Sequence, residues 1–358
     1  MSKQTIVLGI ESSCDETACA VVAEGSDVLA NSVASQIELH ARFGGVVPEI
    51  ASRAHIEAIN TVIQQALDHS GVSPDRIAAV AIANEPGLIG SLLVGLMAAK
   101  TLAWVWDVPL VGVNHVYAHA YSAALNAGPI EYPAAALICS GGHTALYRCE
   151  GPTQMELLGS TIDDAAGEAF DKVASILHLG YPGGPAIQRA AEHGDPHAVK
   201  FPRTLLRGQS LDFSFSGLKT AVLYHVNGVP GARRHKRARK RKAGAARPNG
   251  IENLSEQDIA DIAASFQAAV VDVLRIKLRR AAKHMGARTL VLGGGVSANS
   301  ALRSAAFELA ESMRCTLRLP ELRFCVDNAA MTAGLGYHYF RAGQTVPLDL
   351  TARATVRR

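Results

Sequence analysis

Two stretches of this chain, residues 5–35 and 134–160, repeat one plan: three apolar runs separated by short polar or glycine turns. In the first stretch the runs at 5–10, 17–23 and 28–35 are joined by Glu11-Ser12-Ser13-Cys14-Asp15-Glu16 and by Glu24-Gly25-Ser26-Asp27. In the second the runs fall at 134–139, 144–149 and 155–160, and Ser140-Gly141-Gly142-His143 forms the tight turn. Apolar runs of this length, bounded by turn residues, predict strands. Helical patterns lie between and after them, at 52–69, 88–106, 165–179 and 255–285. A strand at 288–292 then meets Gly293-Gly294-Gly295 before a helix from Asn299, and a last helix is expected over 327–340, opened by an Asp-Asn pair suited to capping. The repeat predicts an α/β protein of two similar domains facing one cleft. The expected division gives an N-terminal domain over 1–128 and a C-terminal domain over 129–358. The second would carry a helical insertion at about 161–225, a basic insert at 231–250 and the terminal helix.

A chain of 358 residues can build two cores of ordinary size, and its 48% hydrophobic, glycine-rich composition suits close helix–sheet packing. The six cysteines form no C-x-x-C pair, which fits a reducing compartment. The apolar run at 6–10 leads directly into Glu11 and does not read as a signal peptide. The longest apolar segment, 88–99, ends at Lys100 and reads as a buried helix rather than a bilayer span. A cytoplasmic protein with no membrane partner is expected.

The net charge of +3 conceals an asymmetry. Residues 231–250 hold nine Lys/Arg and no acid, so the rest of the chain nets −6 once those nine are taken from +3. Arg233, Arg234, Lys236, Arg237, Arg239, Lys240, Arg241 and Lys242 read either as a solvated surface insert or as an arm meeting nucleic-acid phosphates. Lacking interleaved aromatics, such an arm would add salt-dependent affinity without reading bases.

Four glycine-rich turns, at 85–90, 140–144, 181–185 and 293–297, abut strand ends or helix starts. Glycine admits a ligand close to the backbone, so four such turns in one α/β chain point to a nucleotide cleft. It is not a Walker site, because Leu96-Met97 stand where Lys-Ser/Thr would follow Gly90 and Gly95. The acidic turn 11–16 could hold a metal-bound phosphate or orient a nucleophile, or be only a hairpin turn. In Asp163–Lys172, Asp163 and Asp164 are expected to cap a helix with Asp171 on the same face. Lys219, in Phe213–Thr220, could meet an anion or be an ordinary surface residue.

His115 and His119 stand four apart, on one face of a helix, where both rings can reach one metal ion. A metalloprotease would need Glu after the first histidine, and Val116 occupies that place. Asp327 is the candidate third ligand. Two imidazoles and a carboxylate suit Fe(II), Zn or Mn and leave positions open for a ligand's oxygens. A nucleotide-binding scaffold or ATPase also remains compatible with the fold class.

The motifs Glu11-Ser12-Ser13-Cys14-Asp15-Glu16-Thr17, Gly44-Gly45-Val46-Val47-Pro48-Glu49, Ser140-Gly141-Gly142-His143-Thr144, DDAAGEAFDK at 163–172, Tyr181-Pro182-Gly183-Gly184-Pro185, FSFSGLKT at 213–220, GGVSAN at 294–299 and Asp327-Asn328-Ala329-Ala330-Met331 resemble the bacterial TsaD family. They run in order over about residues 5 to 345. The resemblance implies an actin/Hsp70/sugar-kinase-like fold of two RNase-H-like domains around a nucleotide cleft. It implies transfer of a threonylcarbamoyl group from threonylcarbamoyl-AMP to N6 of the tRNA adenosine 3′ of the anticodon, with a TsaB-like paralogue and a TsaE-like ATPase as partners. It places one divalent metal, Fe(II) or Zn, on His115, His119 and Asp327. Substrate-binding positions map to Ile138, Cys139, Ser140, Gly141, Gly142, Asp171, Gly184 and Asn299, and Asp15 and Glu16 would assist attack by the adenine amine. Three residues depart from the family pattern: Glu85 for a usual Gly, Ala118 for a usual Gly, and Gln188 for a common acid.

Overall fold

A computed structural model describes residues 4–206, 208–228 and 250–355. The basic residues Arg233, Arg234, Lys236, Arg237, Arg239, Lys240, Arg241 and Lys242 lie outside them. The described strands are β1 (Ile6–Glu11), β2 (Glu16–Ala23), β3 (Asp27–Ser35), β4 (Ile77–Glu85), β5 (Leu110–Asn114), β6 (Ala134–Cys139), β7 (Thr144–Gly151), β8 (Gln154–Ser160), β9 (Thr289–Gly293) and β10 (Thr316–Arg318). The helices in the first half are α1 (Ile37–Ala41), α2 (Pro48–Ser70), α3 (Ile89–Trp106) and α4 (His115–Tyr121). The second half adds α5 (Ala166–Ile176), α6 (Gly183–Ala191), α7 (Ser216–Asn227), α8 (Glu256–Met285), α9 (Ser300–Met313) and α10 (Ala329–Arg341).

The strands form two five-stranded sheets, ordered β3-β2-β1-β4-β5 and β10-β9-β6-β7-β8. β1 runs antiparallel to β2 and parallel to β4, and β6 runs antiparallel to β7 and parallel to β9. The sheets therefore correspond strand for strand, β1–β5 with β6–β10, and the duplication anticipated from the two repeated stretches is present in full. The central strands β1 and β6 are buried along their whole length, as strands covered on both faces must be.

Three apolar clusters bind the layers. Helices α2 and α3 cover the outer face of the first sheet, with Ile59, Val62 and Leu96 against Ile10, Val80 and Ile82. Helix α8 covers the second sheet from the other side, with Phe266, Val270 and Leu274 in its core. Between the sheets lie α4 and α10, against Val7, Ala20, Ala81, Ala136 and Ile138. Helix α10 packs on β1, β2 and β4, so the end of the chain returns to the first sheet. Small residues make this possible. A Cβ on Gly9 would lie 2.5 Å from the Ala329 carbonyl and 2.6 Å from the Ala333 amide, so only glycine admits the α10 backbone there.

Two expectations change. The segment expected as a buried helix, α3, buries Ser91, Leu92, Gly95, Leu96, Ala99 and Ala103 but leaves Ile89, Leu93, Met97 and Trp104 exposed. Among the described residues it is the one helix long and apolar enough to cross a membrane, yet one side is packed on the sheet. Asp163 and Asp164 do not cap their own helix: Ala165 precedes α5, and Glu168 reaches back to its amide. Asp163 instead accepts from the Phe215 and Ser216 amides and the Ser214 and Ser216 hydroxyls, so it holds the start of α7. Asp164 pairs with Lys172 and Lys219, which answers the anion expected for Lys219.

Candidate metal centre

The functional groups gather at the carboxyl ends of the parallel strands, where open α/β sheets place their ligands. The turn after β1, the helix after β5, the turn after β6 and the N-terminus of α10 meet there. Asn114 caps α4 by accepting from the Val116 and Tyr117 amides, which fixes where His115 and His119 begin. A Cβ on Gly293 would collide with the His119 carbonyl, so glycine at the end of β9 lets α4 lie directly against the second sheet. At α10 the cap is Asn328, which accepts from the Met331 amide and leaves Asp327 free to face the histidines.

His119 Nε2 lies 3.0 Å and His115 Nε2 3.6 Å from Asp327 Oδ1. The two rings meet edge to face at 4.6 Å, and one ligand atom from each of the three residues fits within 4.8 Å of the others. Both histidines are buried, and among the described residues His119 Nδ1 has no hydrogen-bond partner while Nε2 meets only the Asp327 carboxylate. An orphaned buried imidazole beside a carboxylate and a second imidazole is a donor set that a divalent cation would satisfy.

The electrostatics agree with a site built for positive charge. Burial opposes charge on His115, yet the carboxylates of Glu11 and Asp327 outweigh it and raise its pKa to about 9. Burial likewise opposes ionisation of Asp327, and the imidazoles of His115, His119 and His143 overcome it, holding the carboxyl far below the usual carboxylate range. His143, 6.4 Å from His115 by ring centroids, is held down at about 4 by burial and by the two neighbouring imidazoles.

The remaining expected positions differ in exposure and in what they bond. Ile138 and Cys139 are core side chains of β6, so a ligand would meet their backbone only. Gly141 and Gly142 are exposed, with nothing within 4 Å of an added Cβ, and Gly184 is equally open. Asp171 accepts from the Gly183 amide at 2.7 Å, which ties α5 to the start of α6, and burial raises its pKa. Asn299 spends both ends of its side chain on the protein: it caps α9 at the Leu302 amide and donates to Gln267. Gln188 accepts from the Ser300 amide. Glu85 pairs with Arg353 at 3.5 Å.

Asp15 and Glu16 stand at the edge of this field. Burial and the Asp327 charge raise Asp15, and burial, only partly opposed by the Ser35 hydroxyl, raises Glu16 to about 8. A carboxyl raised on folding destabilises the fold as it ionises: not at all below its ordinary value of 4.5, and fully above about 8. Glu16→Gln should therefore melt progressively higher than wild type as pH rises through that window, by on the order of a few kcal/mol above it. An equal gain below 4.5 and above 8 in melting experiments would contradict the assignment. Glu11 and Ser13 of the acidic turn are buried around His115, and the residues not foreseen there are His143, half-buried, and Thr332, buried. Their only sequence signal is polarity inside or beside an apolar run.

The model of the family "TsaD: tRNA N6-adenosine threonylcarbamoyltransferase" matches residues 27–334. This chain belongs to the TsaD family. Among curated TsaD proteins it is 50% identical to the tRNA N6-adenosine threonylcarbamoyltransferase of Symbiobacterium thermophilum, over 97% of this chain and 95% of that relative. It is also 50% identical to that of Thermomicrobium roseum, over 98% and 96%. Among solved structures, T. kodakarensis HypF superposes with a TM-score of 0.60 at 14% identity, covering 95% of this TsaD chain and 48% of HypF. That likeness concerns the fold alone, and with the family match it shows the actin-like α/β fold expected for a TsaD protein.

Proposed function

We propose that this chain transfers a threonylcarbamoyl group from threonylcarbamoyl-AMP to N6 of the tRNA adenosine 3′ of the anticodon. Family membership over residues 27–334 carries the reading, and the cleft supplies the groups this chemistry needs. The exposed backbone at Gly141 and Gly142 would seat the mixed anhydride, with Asp171, Gly184 and Asn299 around its nucleoside end. A divalent metal, Fe(II) or Zn, held by His115, His119 and Asp327 would act as a Lewis acid on the acyl-phosphate oxygens. The adenine amine attacks the carbamoyl carbon, the carbon–oxygen bond to phosphate breaks, and AMP leaves. Glu16, with its pKa near 8, and Asp15 beside it would take the proton the amine loses.

The cleft is proposed to lie between domains 1–128 and 129–358, with tRNA approaching in the cytoplasm. The basic residues of 231–250 would add phosphate contacts. Ile89, Leu93, Met97 and Trp104 form one exposed apolar stripe on α3, a surface of the kind that folded partners cover. It supports dependence on a TsaB-like paralogue, and a TsaE-like ATPase completes the expected set. Expression in a bacterium depleted of its own transferase tests the proposal. Recovery of threonylcarbamoyl adenosine in digested bulk tRNA is expected, and its absence with the protein folded and abundant would oppose the reading.

A further inference from the structure

We infer that Glu11 is the positioning residue of the metal centre, a carboxylate behind His115 that grips the ring at Nδ1 and turns Nε2 toward Asp327. The inference rests on the metal reading of His115, His119 and Asp327 given above. Glu11 is the last residue of β1 and is fully buried, in a strand whose other side chains are apolar. A buried carboxylate is costly unless its lone pairs are matched, so its partners reveal its use. Oε1 accepts from the Ser13 amide at 2.8 Å. Oε2 accepts from the Thr332 hydroxyl at 3.1 Å and lies 3.2 Å from His115 Nδ1. Among the described residues its ion-pair partner is His115.

Imidazole chemistry makes this contact directional. Donation of Nδ1–H to the carboxylate leaves Nε2 as the nitrogen that would ligate a metal, and it faces Asp327. The Ser13 hydroxyl, 3.1 Å from the same Nδ1, holds the ring from a second side. Thr332 lies on α10, the helix that Asp327 precedes, so one element places the carboxylate ligand and supports Glu11 together. Among the described residues His119 Nδ1 has no such partner, and Nε2 meets Asp327 itself at 3.0 Å. The two histidines are therefore unlike: His115 is pre-set, and His119 is fixed only by what it ligates.

The test uses the full chain stripped of metal, titrated with Zn(II) against a chromophoric chelator and with Co(II) by visible absorption. Glu11→Gln keeps the shape and an acceptor for the Ser13 amide, but presents an amide NH2 in place of the oxygen that meets Thr332 and His115. It should melt like the wild type without metal, bind Zn(II) roughly 10–100-fold more weakly, and shift the Co(II) bands. A folded Glu11→Gln with wild-type Zn(II) affinity and an unchanged Co(II) spectrum overturns the inference. If Glu11→Gln does not fold, Thr332→Val decides. That variant removes only the support of Oε2, and a loss of roughly several-fold is expected, where unchanged affinity overturns the inference. A wild-type chain that takes up neither ion overturns the metal reading itself.

Discussion

His119→Ala is expected to leave the protein without stoichiometric metal and to lower threonylcarbamoyl transfer by roughly 10³-fold or more, the equivalent of the several kcal/mol a Lewis acid gives a transition state. The side chain is fully buried, its Nδ1 has no hydrogen-bond partner among the described residues and its Nε2 meets only Asp327, so its retention is hard to explain by packing alone. Removing it also leaves Asp327 with one imidazole at 3.6 Å in place of two. Metal content after dialysis and the single-turnover transfer rate, measured on the same preparation, check the expectation. A variant that holds metal and works within tenfold of wild type would show that the three residues are not the centre.

Gly9→Val should have the second large effect, on the fold and the site together. Its Cβ would lie 2.5 Å from the Ala329 carbonyl and 2.6 Å from the Ala333 amide, both backbone groups that cannot turn aside. Overpacking of this kind costs about 3 kcal/mol. Because α10 follows Asp327 by two residues, a displaced helix carries the carboxylate away from both rings, and Zn(II) affinity should fall along with the melting temperature. Gly141→Ala, where nothing lies within 4 Å, is the matched control and should melt like wild type. Equal melting of Gly9→Val and wild type would mean that the contact between β1 and α10 is slack.

Much of this architecture was legible because its strands are continuous apolar runs closed by glycine or acidic turns. β1 to β3 and β6 to β8 fall within a residue or two of where those runs place them. β4 and β5 are hard to read from sequence, since their alanine-rich or five-residue runs carry little periodic signal beside the long helices next to them. The grouping of the histidine pair with Asp327 was readable from residue chemistry, because two imidazoles one turn apart and an acid at a helix start can reach one ion. Glu11 was not, because its significance lies in contacts with residues more than a hundred positions away. Asp163 misled for the same reason: local spacing offered it to α5, while the fold brings α7 within its reach. The exposed stripe of α3 was also hidden, since a uniformly apolar helix does not disclose which side meets the sheet.

The central claim is tested most directly by reconstitution. The purified chain, the two expected partner proteins, threonylcarbamoyl-AMP and unmodified tRNA are incubated, and the digested nucleosides are examined by mass spectrometry. The account predicts threonylcarbamoyl adenosine in reactions with the wild-type chain and almost none with His119→Ala. Unmodified adenosine throughout, with every component folded and present, would contradict it.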